Sequence, residues 1–93
     1  MDFEWDPKKA AVNEKKHGVS FKEAATVFGD PLALTFSDPD HSESEYRFLT
    51  FGMSQNHHLL VVAHTDRDAK TRIVNVRFMT RHERKMYEED EIK

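Results

Sequence analysis

Apolar residues along this chain change their spacing as it proceeds, and each change predicts a boundary between helix and strand. Phe3 and Trp5 flank Glu4 at the start, enough for a short edge strand. Asp6 before Pro7 is an N-cap with proline in the first helical position, and the helix it opens runs to about His17, where Gly18 closes it. Lys15, Lys16 and His17 then stand at the carbonyl end of the helix dipole, which favours cations. Ser20 with Glu23 predicts a capping box for a second helix, whose apolar stripe is Phe21, Ala24, Ala25 and Phe28; Gly29, Asp30 and Pro31 stop it.

From Leu32 the period falls to two. Leu32 to Phe36, Tyr46 to Met53, Leu59 to Thr65 and Arg72 to Phe78 read as strands. A polar segment from Ser37 to Ser44, a turn from Ser54 to His57 and a charged hairpin from Asp66 to Lys70 separate them. The third run is apolar throughout, which predicts a central strand covered on both faces. In the fourth, Val74, Val76 and Phe78 fall on one face, expected to join the core, and Ile73, Asn75 and Arg77 on the other. Thr80 with Glu83 is a third capping box, so a last helix begins at about Arg81. The predicted class is α+β: two N-terminal helices packed on a four-stranded antiparallel sheet, a C-terminal helix and the short edge strand, in one domain over residues 1–93.

Composition fits that picture and narrows the chemistry. Hydrophobic residues at 38 % and charged residues at 33 %, with seven Phe, two Tyr and one Trp, describe a globular chain rather than a disordered one. No apolar run reaches the length of a membrane span, the start lacks the features of a signal peptide, and the absence of cysteine removes disulfides, thiol catalysis and thiolate metal sites. The cytoplasm is the expected compartment. A net charge of -3 does not by itself mark a nucleic-acid binder, so distribution decides. Acids gather at Asp38, Asp40, Glu43 and Glu45 and in the tail from Glu88 to Glu91. That tail reads as a solvated helix end, a lure for a basic partner, or a shield over the bases before it. Arg77, Arg81, Arg84 and Lys85 fall within nine residues with only Glu83 opposing them. A basic strand-to-helix junction, with helix amides adding partial positive charge, suits a phosphate.

Several spaced pieces then combine into one pattern. They are Phe3 to Pro7, Lys16 to Ala24 around His17 and Gly18, Val27 to Pro31, Glu45 to Arg47, and Val74 to Glu88 with Arg77, Thr80, Glu83, Arg84 and Tyr87. Together they resemble the BrnT family, small toxins of bacterial type II toxin-antitoxin systems. The resemblance implies a RelE-like ribonuclease fold and a metal-independent endoribonuclease that cleaves RNA and inhibits translation. It also implies neutralisation by a BrnA-like DNA-binding antitoxin in a hetero-oligomer, with DNA met only through that antitoxin. Where the family pattern has small residues this chain has Val76 and Met79, and bulk there either narrows the site or repacks the strand end. The alternative reading is a catalytically weak or inactive binding module that serves as antitoxin partner and co-repressor.

Cutting RNA through its own 2′-OH requires activating that hydroxyl, stabilising charge on the phosphorus oxygens and protonating the leaving oxygen. Arg77 and Arg81 are the first candidates for the phosphate, because a guanidinium pairs two oxygens at once and stays charged; an ordinary salt bridge is the plainer reading of Arg77. Arg47, beside Leu49 and Phe51, either joins that cluster or snorkels to water. His64, at the end of the apolar strand, is the candidate general acid or base, against the reading of a satisfied core histidine. Arg84 and Lys85 are placed to steer RNA, and Thr80 lies between the arginines with its hydroxyl engaged as a cap. Trp5 either staples the first helix or stacks on a base. His17 reads as a cap contact, Tyr87 as core, and His57 with His58 as poor metal spacing. His41 with Asp38 and Asp40 reads as a turn more than a metal site. No cofactor and no metal are expected.

Overall fold

The computed structural model describes residues 1–38, 40 and 45–92. Its elements in chain order are β1 (Phe3–Glu4), α1 (Pro7–His17), α2 (Phe21–Thr26) with a 3-10 turn at Val27–Gly29, β2 (Leu34–Ser37), β3 (Arg47–Met53), β4 (Leu59–Arg67), β5 (Lys70–Phe78) and α3 (Arg81–Ile92). The helix starts are those the caps predict. Asp6 accepts the Lys8 amide at 2.8 Å, Ser20 accepts the Glu23 amide at 3.0 Å, and Gly18 ends α1 at φ 73°, a left-handed conformation that glycine adopts without a Cβ penalty. β2 starts two residues later than its hydrophobic pattern suggests. Asp30 folds the intervening chain into a turn by accepting the Leu32 amide on its carboxylate and the Ala33 amide on its carbonyl.

The sheet has the order β1-β5-β4-β3-β2. β2 to β5 form the expected antiparallel meander, but the four-stranded antiparallel sheet is extended to five strands and made mixed by β1, which pairs parallel with β5. No hairpin links β1 to β5, so nothing forces them antiparallel. Arg72 reaches Glu4 at 2.8 Å to hold the pair. The β4–β5 connection is a two-residue turn in which Asp68 and Ala69 both have positive φ, the geometry of a type I′ hairpin.

β4 is central and buried on both faces, as its composition predicts. Leu60 and Val62 meet Phe21, Ala24 and Val27 under α1 and α2; Leu59 and Val61 meet Phe51, Met79 and Tyr87 under α3. Asp30 ties the two layers together, accepting the Met53 amide at 2.8 Å and the Tyr87 hydroxyl at 2.7 Å. Gly52 lies in this joint, where an added Cβ would stand 2.9 Å from Val27 Cγ1 and 3.1 Å from both Ala33 Cβ and an Asp30 oxygen.

The expected faces of β5 need correction. Ile73 lies opposite His64 but Asn75 lies opposite Ala63, so Val74 is an extra residue in β5 and shifts the phase of everything after it. Ile73 and Val76 therefore share the buried helix-side core, while Val74 is half-buried and Phe78 is 44 % exposed, its ring against His58. Past Arg72, no strand among the described residues pairs with the outer side of β5, and α1 takes that place. Asn13 accepts the Val76 amide at 3.1 Å and donates to the Val76 carbonyl at 2.9 Å, so one buried side-chain amide satisfies the open edge. No helix among the described residues is long and apolar enough to cross a membrane.

Candidate nucleic-acid interface around Arg77

Thr80 and Glu83 form the reciprocal box that opens α3, with the Glu83 amide donating to the Thr80 hydroxyl at 3.2 Å and the Thr80 amide donating to Glu83 at 2.8 Å. The same carboxylate receives both terminal nitrogens of Arg77, at 2.7 and 2.9 Å. The guanidinium pair, backed by the Thr80 bonds, holds the Glu83 carboxyl down at about 2 and raises the pKa of Arg77. Arg77 is thus locked in orientation, with its side chain still 39 % exposed. Arg81 follows at the first position of α3 and is exposed, and Arg81, His82, Arg84, Lys85 and Glu88 line a shallow surface depression along that helix. Glu88, from the acidic tail, lies among those cations.

On its other side Arg77 lines a second concavity. This groove of about 560 Å³ runs between α1 and the free edge of β5. Lys8, Lys9, Lys16 and His17 line it from α1, with Val12 and Asn13 between them, and Val74 and Asn75 line it from β5. The patterning of the chain did not show this surface, because the α1 lysines read as an ordinary polar helix face and their meeting with β5 is tertiary. The sequence signal was present in retrospect: Lys8, Val12 and Lys16 recur every four residues beside Lys9, Asn13 and His17, so two rows stack along one helix flank.

The remaining candidates do not gather with Arg77. Arg47 lies opposite Thr65, and Arg77 opposite Val61, so four residues of β4, about 13 Å of strand, separate their levels. His64 is 6 % exposed, stacked on Phe48 and edge-on to Phe28, with Nε2 2.7 Å from the Thr50 hydroxyl and Nδ1 without a hydrogen-bond partner. Burial lowers its pKa, offset in part by Asp66. Trp5 packs edge-on against Phe21, 6.2 Å between ring centres, the stapling contact. Val76 is fully buried and Met79 is 8 % exposed, each in a different core layer.

Glu23 does not close its predicted box. Its carboxylate instead crosses to the β3–β4 turn, accepting from the Ser54 hydroxyl and contacting His58 Nδ1, each at 2.6 Å. Burial pushes that carboxyl up, but the bonds from Ser54, His58 and Asn56 outweigh it and leave the pKa lowered. Among the described residues no three His, Asp or Glu side chains are grouped to hold a metal ion; His41 lies outside those residues.

Residues 5–83 match the family described as ribonuclease toxin, BrnT, of type II toxin-antitoxin system. A crystal structure of the Brucella abortus ribonuclease toxin, BrnT, superposes with a TM-score of 0.68 at 18 % identity, covering 87 % of this chain and 99 % of that one. At that identity the likeness speaks for the fold. No curated protein sequence matches the chain.

Proposed function

The chain belongs to the BrnT family of ribonuclease toxins of type II toxin-antitoxin systems, and from that premise we propose that it is a metal-independent endoribonuclease on a RelE-like scaffold. In this reading the single domain acts in the cytoplasm, cleaves RNA through the ribose 2′-OH and so inhibits translation. A BrnA-like antitoxin holds it inactive in a hetero-oligomer. The observation that carries the reading is the fixed guanidinium of Arg77 beside the exposed Arg81 at the opening of α3. A guanidinium held by Glu83, with Nη1 also donating to the Phe78 carbonyl at 3.3 Å, is fixed in orientation while its side chain stays partly exposed, which suits charge developing on a phosphate. Arg84 and Lys85 then attract the strand, and Thr80 keeps the junction rigid. His64 and Arg47 belong, on this reading, to the other end of the sheet: a histidine sealed between two phenylalanines supports the core rather than moving a substrate proton.

Inducing the protein without an antitoxin is expected to arrest growth and degrade RNA. Arg77→Ala and Arg81→Ala are expected each to cut RNA cleavage by the purified protein by a factor of 100 or so, the usual scale for losing one charge-stabilising donor. Folded variants that arrest growth as fully as the parent would remove these residues from the site. The alternative, a binding module and co-repressor, draws its support from the same ion pair, since Glu83 occupies both terminal nitrogens of Arg77. A parent protein that leaves cellular RNA intact on induction would favour it.

A further inference from the structure

We propose that the groove between α1 and the edge of β5 binds single-stranded RNA along its backbone, with phosphates on Lys8, Lys9, Lys16 and Arg77. The proposal rests on the ribonuclease reading above and gives the substrate a path. The chain as a whole carries 17 acids against 14 Lys and Arg, yet the residues lining the groove include Lys8, Lys9, Lys16, Arg77 and His17 and no carboxylate, the one acid paired with them being Glu83 of α3 on Arg77. By contrast the depression on α3 includes Glu88. Charge segregation of that kind in an acidic protein marks a polyanion surface.

The geometry suits a strand rather than an isolated anion. Lys8 and Lys16 stand eight residues apart on one flank of α1, roughly 12 Å along the helix, so the cations track an extended chain. Asn13 is clamped to the Val76 backbone, which fixes the rotation of α1 and turns the Lys8, Val12 and Lys16 row along the groove. Val12 is 65 % exposed and Val74 half-buried, giving the walls apolar surface for sugars and base faces between the phosphate contacts. Arg77 lines one part of this groove and is also bonded to Glu83 of α3, so an RNA lying in the groove arrives at the phosphate site proposed above.

The test is binding of a fluorescein-labelled 12-nucleotide 2′-O-methyl RNA, which cannot be cut through the 2′ position, followed by anisotropy over a series of salt concentrations. The parent is compared with a Lys8→Gln, Lys9→Gln, Lys16→Gln variant and with an Arg84→Gln, Lys85→Gln variant, each checked for fold by circular dichroism. The α1 variant is expected to bind at least tenfold more weakly and to lower the slope of log affinity against log salt by about 2, as losing three phosphate contacts predicts. An unchanged slope in the α1 variant overturns the groove, as does a parent that does not bind the oligonucleotide. If the α1 variant keeps its RNA affinity but loses an antitoxin that the parent retains, the groove is a protein-docking surface and the proposal falls. Cleavage of ordinary RNA by the parent is measured in parallel. A groove that binds in a parent that does not cleave refutes the ribonuclease reading alone, and cleavage with an unchanged slope refutes the groove alone.

Discussion

Glu83 serves two partners at once, and its substitution separates them. Glutamine keeps an oxygen for the Thr80 amide but gives up the ion pair with Arg77, so Glu83→Gln is expected to cost about 1 kcal/mol in urea unfolding, on the scale of a weakened helix start. The effect on cleavage identifies what Glu83 does for Arg77: a positioning carboxylate predicts slower cleavage with the fold intact, and a competing one predicts faster cleavage. Gly52 is a second residue whose identity is set by its neighbours, here by distance rather than dihedral angle. Gly52→Ala brings a methyl group to 2.9 Å from Val27 and 3.1 Å from Ala33, and is expected to cost about 1 to 3 kcal/mol, read as a lower unfolding midpoint. Neither residue's role was legible in the chain. Glu83 announced a capping box but not its second partner, and a glycine within an alternating run gave no hint of which side chains converge on it.

The element that most depends on another is β5. Its inner edge is paired with β4, its first residues are covered by β1, and beyond Arg72 its outer edge is satisfied by Asn13 of α1. Asn13→Ala strips a partner from three backbone groups in a buried setting, the amide and carbonyl of Val76 and the carbonyl of Val19, and is expected to lower stability by about 2 kcal/mol. Faster hydrogen exchange at the Val76 amide than at the β4-paired amides of β5 would identify the cause; equal protection would show that Asn13 is not what seals the edge. The same strand shows why periodicity misjudged its faces. An alternating pattern locates a strand but carries no mark for an inserted residue, and Val74 is such a residue: it is itself apolar, so the pattern continues unbroken across the bulge. The helix boundaries, by contrast, were readable because a cap is a local event. Asp6, Ser20 and Thr80 each bond an amide two or three residues away, and no distant part of the chain is needed.

For the whole molecule, the titrating groups tend the same way on acidification. Burial lowers His64 below its ordinary 6.5; for Asp30, burial acts upward but the amides of Met53 and Leu32 and the Tyr87 hydroxyl outweigh it; Glu23 is lowered by its turn partners and Glu83 by Arg77. In each case the unfolded chain takes up its proton at a higher pH than the folded one, so the contribution is complete above the unfolded value and is lost as pH falls from there through the lower folded value. The urea midpoint is expected to decline first below about pH 6.5 through His64 and then more steeply from about pH 4.5 towards 2 through the carboxylates. His64→Gln should flatten the upper part of that decline and Glu83→Gln the lower; a parent profile level between pH 7 and 5 would contradict the buried neutral state of His64.

What the chain alone determined is whatever depends on neighbours a few residues away. That covers the order of helices and strands, their caps, a central strand apolar on both faces, the basic run from Arg77 to Lys85, and the motif set that resembles BrnT, which the match over residues 5–83 bears out. What only the folded structure decided is which distant residues meet. It made the sheet five-stranded and mixed, turned Val74 out of phase, buried His64 between Phe28 and Phe48, and set the lysines of α1 against β5. The physical reason is common to all four: spacing along a chain encodes which face a residue presents, whereas pairing partners are chosen by packing and by the backbone groups left unsatisfied at an edge.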